Sequence, residues 1–311
     1  MQKPKIGIAL GGGAARGWAH IGVLRALANC GIKPDIVAGT SMGAVVGGCY
    51  VAGKIDTLED FARSLTRRRV LGLLDFNFAG SGLISGKRLC DSLDSHLDQV
   101  SIEEMDREFV AVATEYGTGH EIWLDHGNLV SAMRASYALP GIFRPVKIGG
   151  RWLFDGALVN PVPVSVCRAL GARIVIAVNP EWDAFGRGTV IPNQEAHQEM
   201  VEGIDEPVPP KGNGRAAMRV LHRQFFGKRD GAPGISAVMV DAFNIIQDRI
   251  ARSRLAGDPP DIMISPKLCG IGLFDFHRAS DAIKRGKEAV EREFFEVDRA
   301  VAALDAQPVA I

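Results

Sequence analysis

The chain has 311 residues, enough for one large domain or two small ones, and 47% of them are apolar, which excludes a disordered composition. Thirty-six Lys and Arg balance 36 Asp and Glu, so overall charge gives no argument for nucleic acid or an anionic membrane as a partner. Cys30, Cys49, Cys90, Cys167 and Cys269 are scattered without metal-ligand spacing and are expected to be free thiols, mostly core filler, in a reducing compartment.

Strand-like and helix-like segments alternate from the start. "KIGIAL" (5–10) is short, apolar and ends in glycine, as a buried strand does. Its apolar run is too short for a signal peptide, and no stretch of the chain approaches the roughly 20 apolar residues of a membrane helix, so a soluble, cytoplasmic protein is expected. "GWAHIGVLRALANCG" repeats apolar residues at helical spacing through Ile21, Leu24 and Leu27, with Gly31 as the stop. "PDIVAGT" is a second strand and "MGAVVGGCYVAG" a second helix, a βαβα opening that implies a parallel sheet covered by helices. Residues from about 56 to 108 read as mostly helical, around a loop near "FNFAGSGLISGKRL". "FVAVATE" is an apolar strand with "HEIWLDHG" paired beside it, and "LVSAMRASYALPG" a helix stopped by Pro140-Gly141. "VKIGGRWLFDG" is a hairpin turning at Gly149-Gly150, and "ARIVIAVNP" and "DIMISP" are the last strands. Residues 181 to about 234 depart from the sheet pattern, and long helices follow over "AVMVDAFNIIQDRIARSRL" and roughly 276–304.

"GGGAARG", Gly11 to Gly17, joins the first strand to the first helix, and three readings compete for it. It is a phosphate cradle, although GxGxxG and Gly-Lys-Ser/Thr spacings are absent; or a plain tight turn; or an oxyanion hole in which bare glycine amides approach a developing charge. In "GTSMG" the Gly39-x-Ser41-x-Gly43 pattern has the form of a nucleophile elbow, and the strand before it and helix after it are the context that motif requires. The bland alternative is a buried serine in a glycine-rich turn. An α/β-hydrolase triad fits poorly, because only one strand–helix unit precedes Ser41 and the histidines after Asp155, His197, His222 and His277, lack a convincing strand-end loop. His20 reads as a packed or capping residue. Asp155 ends an apolar run, with Gly156 allowing a turn; it is either an Asp-Gly turn residue or a base, ionised at neutral pH but weak unless desolvated or close to the hydroxyl.

Taken in order, "GGGAARG", "GTSMG" and "DGALVNP" resemble the patatin-like phospholipase family in its compact bacterial form, and "SYALPGIFRPV" and "PDIMISPKL" are similar to further stretches of it. The resemblance covers roughly residues 5–180, with weaker echoes to about 290. It implies one three-layer α/β/α domain over 1–311 with a mainly parallel central sheet; the core is expected at about 5–180 plus 235–290, and the excursion or lid at about 181–234 has no firm family template. It further implies a histidine-free dyad with Ser41 as nucleophile and Asp155 as base. The amides of Gly11, Gly12 and Gly13, with Arg16, would form the oxyanion hole, and an acyl-serine intermediate would carry the hydrolysis. The substrate class implied is a phospholipid, lysophospholipid or related lipid ester, and the alternative is a catalytically silent regulator that retains the fold and binds lipid or a partner. A third reading is a nucleotide-binding module built on the glycine loop.

"LGLLDFNFAGSGLISG" (71–86) and "SYALPGIF" (136–143) read either as acyl-channel walls or as plain core. "RAAMRVLHRQFFGKR" (215–229) puts Met218, Leu221 and Phe225 on one helical face among basic residues. It is either an ordinary docked surface helix or an interfacial lid in peripheral contact with the inner face of a membrane. Arg67–Arg69 reads as a solvated face, and no nucleic-acid partner, cofactor, metal or calcium requirement is expected.

Overall fold

The strand β1 (Lys5–Leu10) buries five of its six residues and lies inside the sheet, as its apolar run requires. The computed structural model describes residues 4–73, 97, 100–181 and 235–306. The other strands are β2 (Ile36–Thr40), β3 (Glu108–Glu115), β4 (Glu121–Leu124), β5 (Val146–Ile148), β6 (Arg151–Asp155), β7 (Ala172–Val178) and β8 (Ile262–Ile264). They pair in the order β5-β6-β3-β2-β1-β7-β8, with β4 also on β3. The central pairs are parallel, and the pairs involving β4, β5 and β6 are antiparallel. The expected hairpin joins β5 to β6, with Gly149 and Gly150 both at positive φ, 57° and 82°.

Among the described residues the helices are α1 (Ala19–Asn29), α2 (Met42–Val51), α3 (Ile55–Arg63), α4 (Arg67–Leu73), α5 (Leu129–Ser136), α6 (Val164–Ala169), α7 (Ile235–Gly257) and α8 (Ala279–Ala306). Alternation along the strands sorts the core into two layers. Ile6, Ile8, Leu10, Ile174, Ile176 and Val178 pack with Leu24 and Leu27 of α1, Val46 of α2, Met133 of α5 and Val290 of α8. Ala9, Val110, Val112, Val175 and Ala177 face Val166 and Cys167 of α6 and Ala251 and Leu255 of α7. The result is the three-layer α/β/α arrangement with a mostly parallel sheet; each fully buried Ile or Leu contributes about 1.5–3 kcal/mol of transfer free energy.

Two details differ from the pattern reading. Helix α5 stops at Ser136, short of Pro140, because the chain beyond it serves β6: the Ala138 carbonyl accepts the Asp155 amide at 3.0 Å. Of the cysteines, Cys49 and Cys167 are core residues, but Cys30 and Cys269 are exposed, and Cys90 lies outside the described residues. The chain divides into two compact units, residues 1–184 with 247–311 and residues 185–246. The expected lid at 215–229, His197, His222 and all of 71–86 beyond Leu73 lie outside the described residues.

Candidate active site

Strand β3 brings the two chemical groups together. Its one edge carries β4, paired over residues 111–114, so β2 and β6 must share the other edge. Along that edge β2 ends with Thr40 opposite Val112, and β6, running the opposite way, ends with Asp155 opposite Ala113. Two strands that are distant in sequence therefore meet end to end, and the residue after one faces the last residue of the other. Gly156 turns the chain away at once; a Cβ there would sit 2.2 Å from the Val112 carbonyl oxygen.

Ser41 occupies the turn between β2 and α2 at φ 54°, ψ −122°, a conformation costing an L-residue on the order of 1–3 kcal/mol. Gly39 and Gly43 flank it, and a Cβ on Gly43 would stand 2.1 Å from the Leu10 carbonyl oxygen, so the elbow closes onto β1 only with glycine there. A serine at a helix N-cap ordinarily turns its hydroxyl back onto the helix amides. Ser41 makes no such bond; Oγ donates to Asp155 Oδ2 at 2.7 Å.

Asp155 is 2% exposed. Its Oδ1 accepts the Ala157 amide at 2.8 Å, and Thr114 Oγ1 donates to its main-chain carbonyl at 2.9 Å. Burial pushes the carboxyl up from 3.8 to about 7; the hydrogen bonds from Ala157 and Ser41 pull the other way without cancelling it. Asp155 is thus desolvated and in direct contact with the Ser41 hydroxyl.

The glycine loop lies beside this pair, with the Cβ direction of Gly12 3.7 Å from Ser41 Cβ. Its hydrogen bonds correct the expectation of three free amides. Gly11 donates to the Val178 carbonyl at 2.9 Å and Gly12 to the Pro161 carbonyl at 3.0 Å, since buried amides must be paired and the loop must be held to β7. Among the described residues only the Gly13 amide of the three has no acceptor. Arg16 is corrected likewise. Its guanidinium donates through Nε to the Ile271 carbonyl at 2.8 Å and through Nη1 to Glu181 at 3.1 Å, so its charge is met by a buried carboxylate and it anchors the loop. Burial pushes Glu181 above the usual carboxylate range, with Arg16 opposing.

His20 is fully buried, as a packed histidine. Its ring hydrogen-bonds the Gly11 carbonyl through Nε2 at 2.8 Å, and burial lowers its pKa to about 4, so it is neutral and donates there. Three further polar residues serve the site with no motif of their own. Ser136, fully buried, bridges Val112 and Ser41; Thr40 Oγ1 donates to the Asn160 carbonyl at 2.8 Å; and Asn160 Nδ2 donates to Glu121 at 2.8 Å. Among the described residues no His, Cys, Asp and Glu side chains group as metal ligands would, and no helix is long and apolar enough to cross a membrane.

Residues 8–168 match the family described as patatin-like phospholipase. An uncharacterized NTE family protein of Mycobacterium tuberculosis is 32% identical over 96% of this chain and 94% of its own length. A patatin-like phospholipase domain-containing protein of Caenorhabditis elegans is 38% identical over 55% of this chain and 13% of its own length. VipD from Legionella pneumophila is a looser structural likeness, with a TM-score of 0.44 at 14% identity over 94% of this chain and 66% of VipD.

Proposed function

The chain belongs to the patatin-like phospholipase family, which implies lipid acyl hydrolase activity, and on that premise we propose that Ser41 and Asp155 are its catalytic dyad. The observation that carries this reading is the 2.7 Å hydrogen bond from a backbone-strained serine to a buried carboxyl whose pKa stands near neutrality. A general base works best with a pKa near the working pH.

The steps follow from that contact. Ser41 Oγ attacks the ester carbonyl carbon as its proton passes to Asp155 Oδ2. The tetrahedral oxyanion is received by main-chain amides: Gly13, and Met42 at the open first turn of α2, where helix amides lack intrahelical acceptors. The bond to the leaving alcohol breaks and its oxygen takes the proton from Asp155, leaving an acyl-serine. Water then gives a proton to Asp155 while its oxygen attacks the acyl carbon, and Ser41 departs and recovers its proton. The acyl chain lies along the segment beyond Ser136, where Leu139, Ile142 and Phe143 are half-buried.

Labelling with a fluorophosphonate tests the reading. Native protein should label, Ser41→Ala should not, and Asp155→Asn should label far more slowly. Native protein that does not label, at any pH from 6 to 9, would leave the silent lipid-binding reading in its place.

A further inference from the structure

Ser41 Oγ can reach Asp155 only if the Ser41 backbone stays in a conformation that serine disfavours, and something must hold it there. Two elements meet at its amide. Strand β3 presents the Val112 carbonyl, the last ladder position opposite β2. Helix α5 ends at Ser136, whose side chain is fully buried. The Ser136 hydroxyl lies 2.6 Å from the Val112 carbonyl oxygen and 2.8 Å from the Ser41 amide nitrogen. A carbonyl only accepts, so the single hydroxyl proton goes to Val112, and the oxygen's lone pair is left to receive the Ser41 N–H. A serine late in a helix commonly bonds the carbonyl four residues back; this one reaches out of its helix instead.

We infer that Ser136 is a positioning residue for the nucleophile: its hydroxyl, inserted between the Val112 carbonyl and the Ser41 amide, fixes the strained elbow so that Oγ faces Asp155 and not the amides of α2. The inserted hydroxyl spans the gap that opens where the chain leaves the β2 ladder and turns. It touches neither substrate nor Asp155, so it acts on the rate of chemistry alone. The inference rests on Ser41 being the nucleophile.

The test uses the full chain as native protein, Ser136→Ala and Ser136→Cys, with active sites titrated by fluorophosphonate and turnover followed on p-nitrophenyl butyrate. Per titrated site, kcat of Ser136→Ala should fall roughly 10- to 100-fold, the scale of a misplaced reacting atom, with KM unchanged. The midpoint of its pH profile should hold or rise, because the Asp155 carboxyl keeps its burial and the Ala157 amide, and a displaced Ser41 hydroxyl only ceases to lower it. Ser136→Cys, a weaker acceptor of similar size, should fall between, and it carries the test if the alanine variant does not fold. A residue that only supports folding would lower the number of titratable sites and leave kcat per site at the native value; that result overturns the inference, as does a loss accompanied by a lowered pH midpoint. Native protein that neither labels nor turns over removes the Ser41 reading, and this one with it; native labelling beside undiminished Ser136 variants removes this one alone.

Discussion

Two buried carboxylates lie near the glycine loop, and their neighbours fit them for opposite roles in the proposed reading. Asp155 meets only neutral donors, the Ser41 hydroxyl and the Ala157 amide, and burial carries it to about 7. Glu181 meets the Arg16 guanidinium at 3.1 Å, which opposes the effect of burial and holds an ion pair whose side chains are 16% and 10% exposed. A carboxylate without a cation beside it is free to exchange a proton; one with a cation is a tether. Separation of two acids by environment is a general way of assigning proton chemistry within one site.

The largest effect should come from breaking the first of the pair. Asp155→Asn should lower kcat roughly 10²- to 10⁴-fold, the usual share of a general base, and should abolish the rise of native activity through pH of about 7. Stability should move the other way. The folded carboxyl titrates near 7 and the unfolded one near 3.8, so the folded state binds more protons between those values and native stability falls as pH rises across that window. Asp155→Asn removes this dependence. Urea unfolding at pH 5 and pH 8 should show a variant that gains on the native protein at the higher pH, by on the order of a few kcal/mol. A variant whose deficit is the same at both pH values would show that Asp155 is ionised when the protein folds.

Breaking the second of the pair should cost stability first. Arg16→Ala leaves Glu181 buried without its cation, which should destabilise the protein by about 2–4 kcal/mol at pH 8. The folded pKa of Glu181, already raised, then rises further, so the loss should shrink as pH falls and the carboxyl takes up a proton. Unfolding midpoints at the two pH values measure it. Turnover per titrated site should fall much less than in Asp155→Asn. A fall of equal size would return Arg16 to the oxyanion hole.

The contrast also explains what the sequence could and could not reveal. Ser41 and Asp155 announced themselves because each sits at a strand end beside glycine, and strand ends are legible from apolar runs. Their meeting was not legible. It depends on β2 and β6 sharing one edge of β3, a register that no local pattern encodes. The glycine loop was legible as a loop, but which amides remain free is decided by carbonyls at Pro161 and Val178, about 150 residues away. Arg16 was misplaced for the same reason: its partner, Glu181, follows β7 and looks like any surface acid in sequence. Ser136 was passed over because a serine in "RASYALPG" is unremarkable until its hydroxyl is seen between two main-chain groups.

The smallest effect sharpens the account of Asp155 by separating its backbone from its carboxyl. Thr114, 4% exposed, donates from Oγ1 to the Asp155 carbonyl oxygen and to nothing on the side chain. Thr114→Val keeps the β-branched shape that suits β3 and deletes one neutral hydrogen bond, leaving a buried carbonyl without that donor. The expected cost is about 1 kcal/mol, a fall of a few degrees in Tm. The pH midpoint of activity should not move, because the carboxyl keeps its burial, the Ala157 amide and the Ser41 hydroxyl, the three influences that set it. Measuring Tm and the pH profile on the same preparation separates the two quantities. A midpoint that shifts with Tm would mean that the placement of the strand end itself tunes the base, and that the difference between Asp155 and Glu181 lies in how rigidly each is mounted as well as in the charge each one meets.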